Sequence, residues 1–234
     1  MNMSPLDLNS SPQSFQLSYH RSPEGVPWGA YYWKDLLVAL PISLVIDGFL
    51  AVVRLWVREE PATWTFIKGN PIVVLFHHEC MITLASHYYD AQNQRNRGGI
   101  LGFHGFLSYL TFTWSWRKSL PMCRFDRLSP QKPLNQVIDY LKELRGPFYV
   151  RTDAGGPYGR VRASIVEMAL ATGRSVVCLR QQASRTTTVI GHAVPLPGAL
   201  TETRVSPPVT AAELQTLGRD QARDHLQSLM DGLF

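Results

Sequence analysis

The sequence predicts an α/β protein: a mostly parallel central sheet flanked by helices, entered through an N-terminal hydrophobic helical element. Three observations carry this. From Asn70 onward, short apolar runs of strand length alternate with segments of helical periodicity, the pattern of a sheet covered on both faces. Ahead of them, residues 36–57 are the most hydrophobic part of the chain. Three polar or glycine-rich clusters also fall directly after strand-like runs, where sites gather in parallel sheets.

The elements follow in order. Residues 1–28 are polar and rich in Ser and Pro, the composition of a loose arm. Residues 29–60 form the hydrophobic helical element. Its apolar core is about as long as a membrane span, yet it carries Pro41, Asp47, Gly48 and Arg54. Those interruptions suit one kinked helix, or two short ones, lying in the bilayer interface. Trp28, Tyr31, Tyr32, Trp33 and Trp56 flank it, and such residues favour that zone. An amphipathic helix docked on the protein gives the same pattern, and both readings stand at this point.

Residues 61–234 read as the α/β domain. Strands are predicted at 71–76, 99–105 (short, with a turn), 122–125, 147–152 and 175–179. A helix is predicted from residue 79 to about 91, and residues 106–116 are aromatic and apolar. Leu134, Val137, Ile138, Leu141 and Leu144 have helical spacing, with Pro133 suited to the first turn. Residues 163–172 form a further helix, with Gly173 at the position where helices end. Residues 211–233 read as a single amphipathic helix. There is no internal repeat.

Composition narrows the function. The chain has 234 residues, 45% hydrophobic and 18% charged, with a net charge of +5. Lys34, Lys68, Lys118, Lys132 and Lys142 are the only lysines, so arginine supplies most of the positive charge. A basic excess suits phosphate-bearing partners such as nucleic acid or an anionic membrane, and equally a solvated basic face. No RNP-like aromatic strand, helix-turn-helix or zinc finger is visible, so no nucleic-acid partner is expected. Cys80, Cys123 and Cys178 are scattered, without a CxxC or a Cys/His zinc spacing. Neither a disulfide framework nor a metal site is expected, and reduced thiols suit the cytoplasm. The first residues show no basic segment followed by an apolar one, so no secretory signal is expected.

The chemistry lies in the three clusters. His77-His78-Glu79 follows the first strand of the domain, and a histidine can act as a general base near neutral pH. Arg124, with Asp126 and Arg127, follows Met122-Cys123. Thr152-Asp153-Ala154-Gly155-Gly156-Pro157-Tyr158-Gly159-Arg160 follows Phe148-Tyr149-Val150. Glycine-rich turns expose backbone N–H groups to an anion, and arginines grip phosphate. The turn is not a P-loop, because the Gly-Lys-Ser/Thr ending is missing. One base with two anion-binding segments suits acyl or phosphoryl transfer on a phosphorylated substrate.

These residues resemble the lysophospholipid acyltransferase superfamily, and within it a bacterial branch catalogued as a domain of unknown function. Phe76-His77-His78 stands where that branch reads Phe-Trp-His, and Cys123-Arg124-Phe125-Asp126 where it reads Arg-Gly-Ser before a helix. The block from Thr152 to Arg160, then Val161-Arg162-Ala163-Ser164-Ile165 and Ala169-Leu170-Ala171-Thr172-Gly173, follows the branch's third motif in register. Val176-Val177-Cys178-Leu179 and Val194-Pro195-Leu196-Pro197 match later segments. The similarity runs from about residue 36 onward, and residues 147–179 are its most specific part.

The resemblance implies an acyltransferase-like fold with its N-terminal helical element against the membrane. It implies transfer of an acyl group from acyl-CoA or acyl carrier protein to a hydroxyl of a lysophospholipid or related phosphorylated or glycolipid acceptor. No bound cofactor is implied. By position His78 is the base and His77 replaces a tryptophan. Arg124, Gly155, Gly156, Gly159 and Arg160 fall in the acceptor site beside His77. The implied location is the cytoplasmic face of the inner membrane, peripheral or monotopic, with the oligomeric state open. The superfamily's His-x4-Asp is absent: five positions after His78 stands Thr83, and after His77 stands Ile82. The branch often lacks that Asp too, so the imidazole's orienting group stays open between Glu79 and Asp153. A non-catalytic lipid-binding protein that keeps the fold is the competing expectation.

Overall fold

The computed structural model describes residues 33–55, 57–58, 67, 69–76, 79, 99–101, 122–123, 132–153, 157–189 and 192–234. In chain order these form α1 (Trp33–Arg54), β1 (Val57–Arg58), β2 (Ile72–Leu75), β3 (Gly99–Leu101), β4 (Met122–Cys123), α2 (Pro133–Glu143) and β5 (Phe148–Arg151). Then come α3 (Ala163–Thr172), β6 (Val176–Ala183), β7 (Thr186–Val189), β8 (His192–Pro195), β9 (Thr201–Val205), α4 (Ala211–Leu217) and α5 (Arg219–Asp231).

Seven strands make one sheet in the order β1-β9-β6-β2-β5-β3-β4. Strands β6, β2, β5, β3 and β4 run parallel to one another, while β9 is antiparallel to β6 and parallel to β1. The expected mostly parallel sheet with flanking helices is therefore the observed architecture. Its central register places Ile72 beside Phe148 on one side and Val176 on the other. Side chains alternate between faces along a strand. Ile72, Val74, Phe148, Val150, Val176 and Cys178 share one face and pack with Val137, Leu141, Ile165, Val166, Leu226 and Met230 of α2, α3 and α5. Val73, Leu75, Tyr149, Val177 and Leu179 take the alternate positions and are also buried. Burial on both faces explains why these strands read as unbroken apolar runs.

Local signals set the helix ends. Pro133 opens α2, and Gly173 ends α3 with φ 68°, in the left-handed region. The expected single helix over 211–233 is instead two. Gly218 sits between α4 and α5 at φ 75°, ψ 165°, a conformation that only glycine adopts readily. A Thr210–Glu213 capping box starts α4: the Glu213 N–H donates to Thr210 Oγ1 at 3.2 Å, and the Thr210 N–H donates to Glu213 at 2.7 Å.

Towards the N-terminus, α1 is one helix with Pro41 inside it. Among the described residues no helix is long and apolar enough to cross a membrane. Val57 and Arg58 leave the helical element and pair with Thr201 and Glu202 at the edge of the sheet. The hairpin β7–β8 projects beyond the end of β6. The sequence shows neither it nor β9, because Thr186, Thr187 and Thr188 are all exposed polar residues. In β9 the buried positions are Thr201 and Thr203, so its alternation is polar on both faces. The arm at 1–28, most of the helix expected at 79–91 and the segment 106–116 lie outside the described residues.

Candidate active site at the carboxyl edge of the sheet

Because β2, β5, β3 and β4 are parallel, their carboxyl ends open at one edge. All three clusters follow these ends. β2 and β5 are neighbours, with Leu75 level with Arg151, and the Thr152 N–H donates to the Leu75 carbonyl at 3.0 Å. The first and third clusters thus leave the sheet side by side. The second follows β4, which is separated from β5 by β3 alone. His77, His78, Arg124, Gly155 and Gly156 lie outside the described residues, while Glu79, Asp153, Gly159 and Arg160 lie within them.

The third cluster is a tied turn. Thr152 Oγ1 accepts the Arg162 N–H at 2.8 Å and donates to the Arg160 carbonyl at 3.4 Å. The buried Asp153 carboxylate accepts the Gly159 N–H at 3.0 Å. Gly159 has φ 70°, which explains the glycine. From α5, Gln227 brackets the same turn: its Nε2 donates to the Gly159 carbonyl at 3.0 Å, and its Oε1 accepts the Val161 N–H at 2.8 Å. Tyr158 and Arg160 are exposed on the turn. Helix α3 starts just beyond it without a side-chain cap, so its positive end faces the region of the turn. Gln227 has no signal in the sequence, since it sits 66 residues from Val161 among the polar positions of an amphipathic helix.

In the first cluster, Glu79 meets Arg180 of β6. Arg180 Nε lies 3.1 and 3.2 Å from the two carboxylate oxygens, and Nη2 lies 2.5 Å from Oε1. Arg180 Nη1 also donates to the Met230 carbonyl at 3.2 Å. Its guanidinium carbon is 5.7 Å from the ring centroids of both Phe76 and Phe234. The contacts described for the two carboxylates offered as orienting groups are thus to a guanidinium and to a backbone N–H. The strand expected at 175–179 runs on to Ala183 and so takes in Arg180. The signal was there: a cation placed directly after the apolar run Val176-Val177-Cys178-Leu179.

The opposite, amino edge is built differently. A cleft of about 760 Å³ opens there beside Lys142, Arg145 and Arg174. Buried Arg174 donates from Nη1 to the carbonyls of Asn70 (3.1 Å) and Gly146 (2.9 Å), and from Nη2 to those of Leu141 (2.7 Å) and Leu144. Its donors bind the chain itself, which makes it a structural hub rather than an anion receptor.

No protein-family model matches the chain, and no curated protein matches it in sequence. Among solved structures, the fold is similar to that of the 1-acyl-sn-glycerophosphate (LPA) acyltransferase PlsC from Thermotoga maritima. The TM-score is 0.52 at 14% identity, over 85% of this chain and 78% of that one. The acyltransferase-like fold implied by the sequence is therefore met at the level of fold.

Proposed function

We propose that this chain is an O-acyltransferase that moves an acyl group from a thioester, acyl-CoA or acyl carrier protein, to a hydroxyl of a phosphate-bearing lipid acceptor. One observation carries the reading. In an acyltransferase-like sheet, the strand preceding His77-His78 and the strand preceding the tied glycine turn are neighbours in register, Leu75 beside Arg151. A base and an anion-binding turn leaving adjacent strand ends suit a substrate with its hydroxyl close to its phosphate.

In the proposed step His78 takes the proton of the acceptor hydroxyl as its oxygen attacks the thioester carbonyl. The carbon–sulfur bond then breaks, and the proton passes to the departing thiolate. The products are an ester and a free thiol. The turn from Asp153 to Arg160, the amino end of α3 and Arg124 are the groups assigned to the phosphate. A general base of this kind contributes roughly 10²- to 10⁴-fold.

A membrane surface is the setting that suits α1. Its buried positions are small or polar: Ala39 and Ser43, one turn apart, followed by half-buried Asp47. Its exposed positions are apolar, including Leu37, Val38, Leu44, Val45, Phe49 and Val52, and exposed Leu55 follows its end. A helix of a water-soluble protein has the reverse arrangement. The helix leads into β1, whose Val57 pairs with Thr201, itself level with Ala183 at the carboxyl end of β6. The apolar helix therefore ends at the same edge as the proposed chemistry.

The test compares 1-acylglycerol 3-phosphate with 1-acylglycerol as acceptors, with wild type and His78→Ala. The expected result is ester formation on the phosphorylated acceptor, reduced at least about 100-fold in His78→Ala. A folded His78→Ala protein as active as wild type removes the base. The absence of His-x4-Asp favours a second reading, a non-catalytic lipid-binding protein. Vesicle binding without ester formation from either donor supports that one.

A further inference from the structure

We propose that Arg180 is a positioning residue of this site: by holding Glu79, it fixes the backbone one residue beyond His78 and cancels the negative charge beside it. The inference rests on the acyltransferase reading. The pair spans 101 residues of sequence and joins the chain after β2 to β6. It is mostly shielded, with side-chain exposures of 16% for Arg180 and 12% for Glu79. Exposed ion pairs contribute little, but a forked pair shielded from water is geometrically specific.

Arg180 is itself held from three directions. Phe76, which ends the β2 segment, lies beneath its guanidinium, the Met230 carbonyl at the end of α5 accepts from Nη1, and the Phe234 ring lies 5.7 Å away. The guanidinium of Arg204 lies 4.4 Å from the other described neighbour of this corner, the Phe234 ring centroid. Among the described residues near this corner, Arg204 pairs with Glu202 of β9, and Asp231 accepts from Gln227. A rigid cation is thus built from β6 and the C-terminal segment and aimed at the residue next to the proposed base. A carboxylate one residue from the base in sequence, without a cation on it, would favour the protonated, inactive ring. Paired with Arg180, it anchors the chain without that effect.

The experiment measures kcat, KM and the pH dependence of kcat/KM for Arg180→Met, Arg180→Lys and Glu79→Gln, with Tm recorded for each. His78→Ala in the same assay separates this role from the reaction itself. The base must be neutral, so kcat/KM rises with pH. Arg180→Met takes the Arg180 charge away from Glu79 and moves that rise to higher pH. Glu79→Gln takes the carboxylate charge away from Arg180 and moves it to lower pH. Each shift is a few tenths of a unit, with kcat lowered about tenfold and KM within about threefold. Arg180→Lys keeps the charge but not the fork, so the pH limb stays in place while kcat falls.

A purely structural pair would lower Tm and leave kcat and the pH limb of the folded fraction unchanged, and that result overturns the proposal. If Arg180→Met does not fold, Glu79→Gln, nearly the same shape, decides alone. Loss of activity in His78→Ala with wild-type kcat in Glu79→Gln and Arg180→Met removes the positioning role and leaves the acyltransferase reading intact. A folded wild-type protein that transfers no acyl group overturns both.

Discussion

The carboxylate of Asp153 accepts the backbone N–H of Gly159, six positions further along the chain, at 3.0 Å, just beyond the carboxyl end of β5. The described ends of the most specific motif of the chain are thereby tied together, by Thr152 and Asp153 just after β5 and by Gln227 from α5. Asp153→Ala removes the acceptor and leaves the Gly159 N–H without it. The expected cost is about 1–3 kcal/mol of stability. The KM for the phosphorylated acceptor should rise roughly tenfold as the turn loosens. Asp153→Asn retains an acceptor oxygen and should cost less on both counts. Urea unfolding and acceptor titration check the pair.

The outward apolar face of α1 makes a separate prediction. Leu44 and Val45 are 50% and 72% exposed, so replacing both with Glu disturbs little packing. Each apolar side chain withdrawn from a bilayer forfeits about 1.5–3 kcal/mol. Co-sedimentation with anionic vesicles should therefore fall at least about tenfold while Tm moves by no more than a few degrees. Unchanged co-sedimentation assigns membrane contact to another surface, or to none.

At the amino edge, Arg174→Met should be among the most damaging substitutions. It strips the donor from four carbonyls, of Asn70, Gly146, Leu141 and Leu144, that join β2, α2 and the loop before β5. Loss of a buried guanidinium that holds four carbonyls costs about 3–5 kcal/mol. Activity per folded molecule should hold, because the proposed site lies at the opposite edge. Denaturant midpoints together with specific activity separate the two effects.

The buried thiols give a pH prediction. Burial pushes both Cys123 and Cys178 up to about 12. An unfolded thiol titrates near about 8.5. Above that pH the unfolded chain releases protons that the folded chain retains, so stability falls as pH rises from about 8.5 towards 12. Neither thiol contributes such dependence below that window. At pH 8 both should resist iodoacetamide in the native state and react on unfolding, as peptide mass spectrometry will show.

Much of this architecture is legible in the sequence because the central strands are buried on both faces. Ile72–Leu75 and Val176–Leu179 leave no polar residue to confuse the pattern, and Pro133 and Gly173 mark helix ends by their own backbone geometry. Legibility fails where polar residues do the packing. Thr201 and Thr203 are buried in β9, and the threonines of β7 face solvent, so neither strand shows an apolar period. The break at Gly218 was hidden because α4 and α5 both carry amphipathic spacing, and a lone glycine in such a pattern is usually tolerated. Of the site, the strand ends and the glycine turn can be read from local sequence. Gln227 cannot, and of Arg180 only its place directly after the apolar run is visible, because both reach their partners only after the chain has folded across 66 and 101 residues.

The measurement that bears most directly on the central claim is transfer of a radiolabelled acyl group to extracted membrane lipids by the purified protein. Wild type and His78→Ala are run side by side, with acyl-CoA and acyl carrier protein as donors. The account predicts a labelled, phosphate-bearing lipid with wild type that is lost in His78→Ala. A folded wild-type protein that binds vesicles yet labels no lipid from either donor would contradict it, and would make the fold a lipid-binding scaffold.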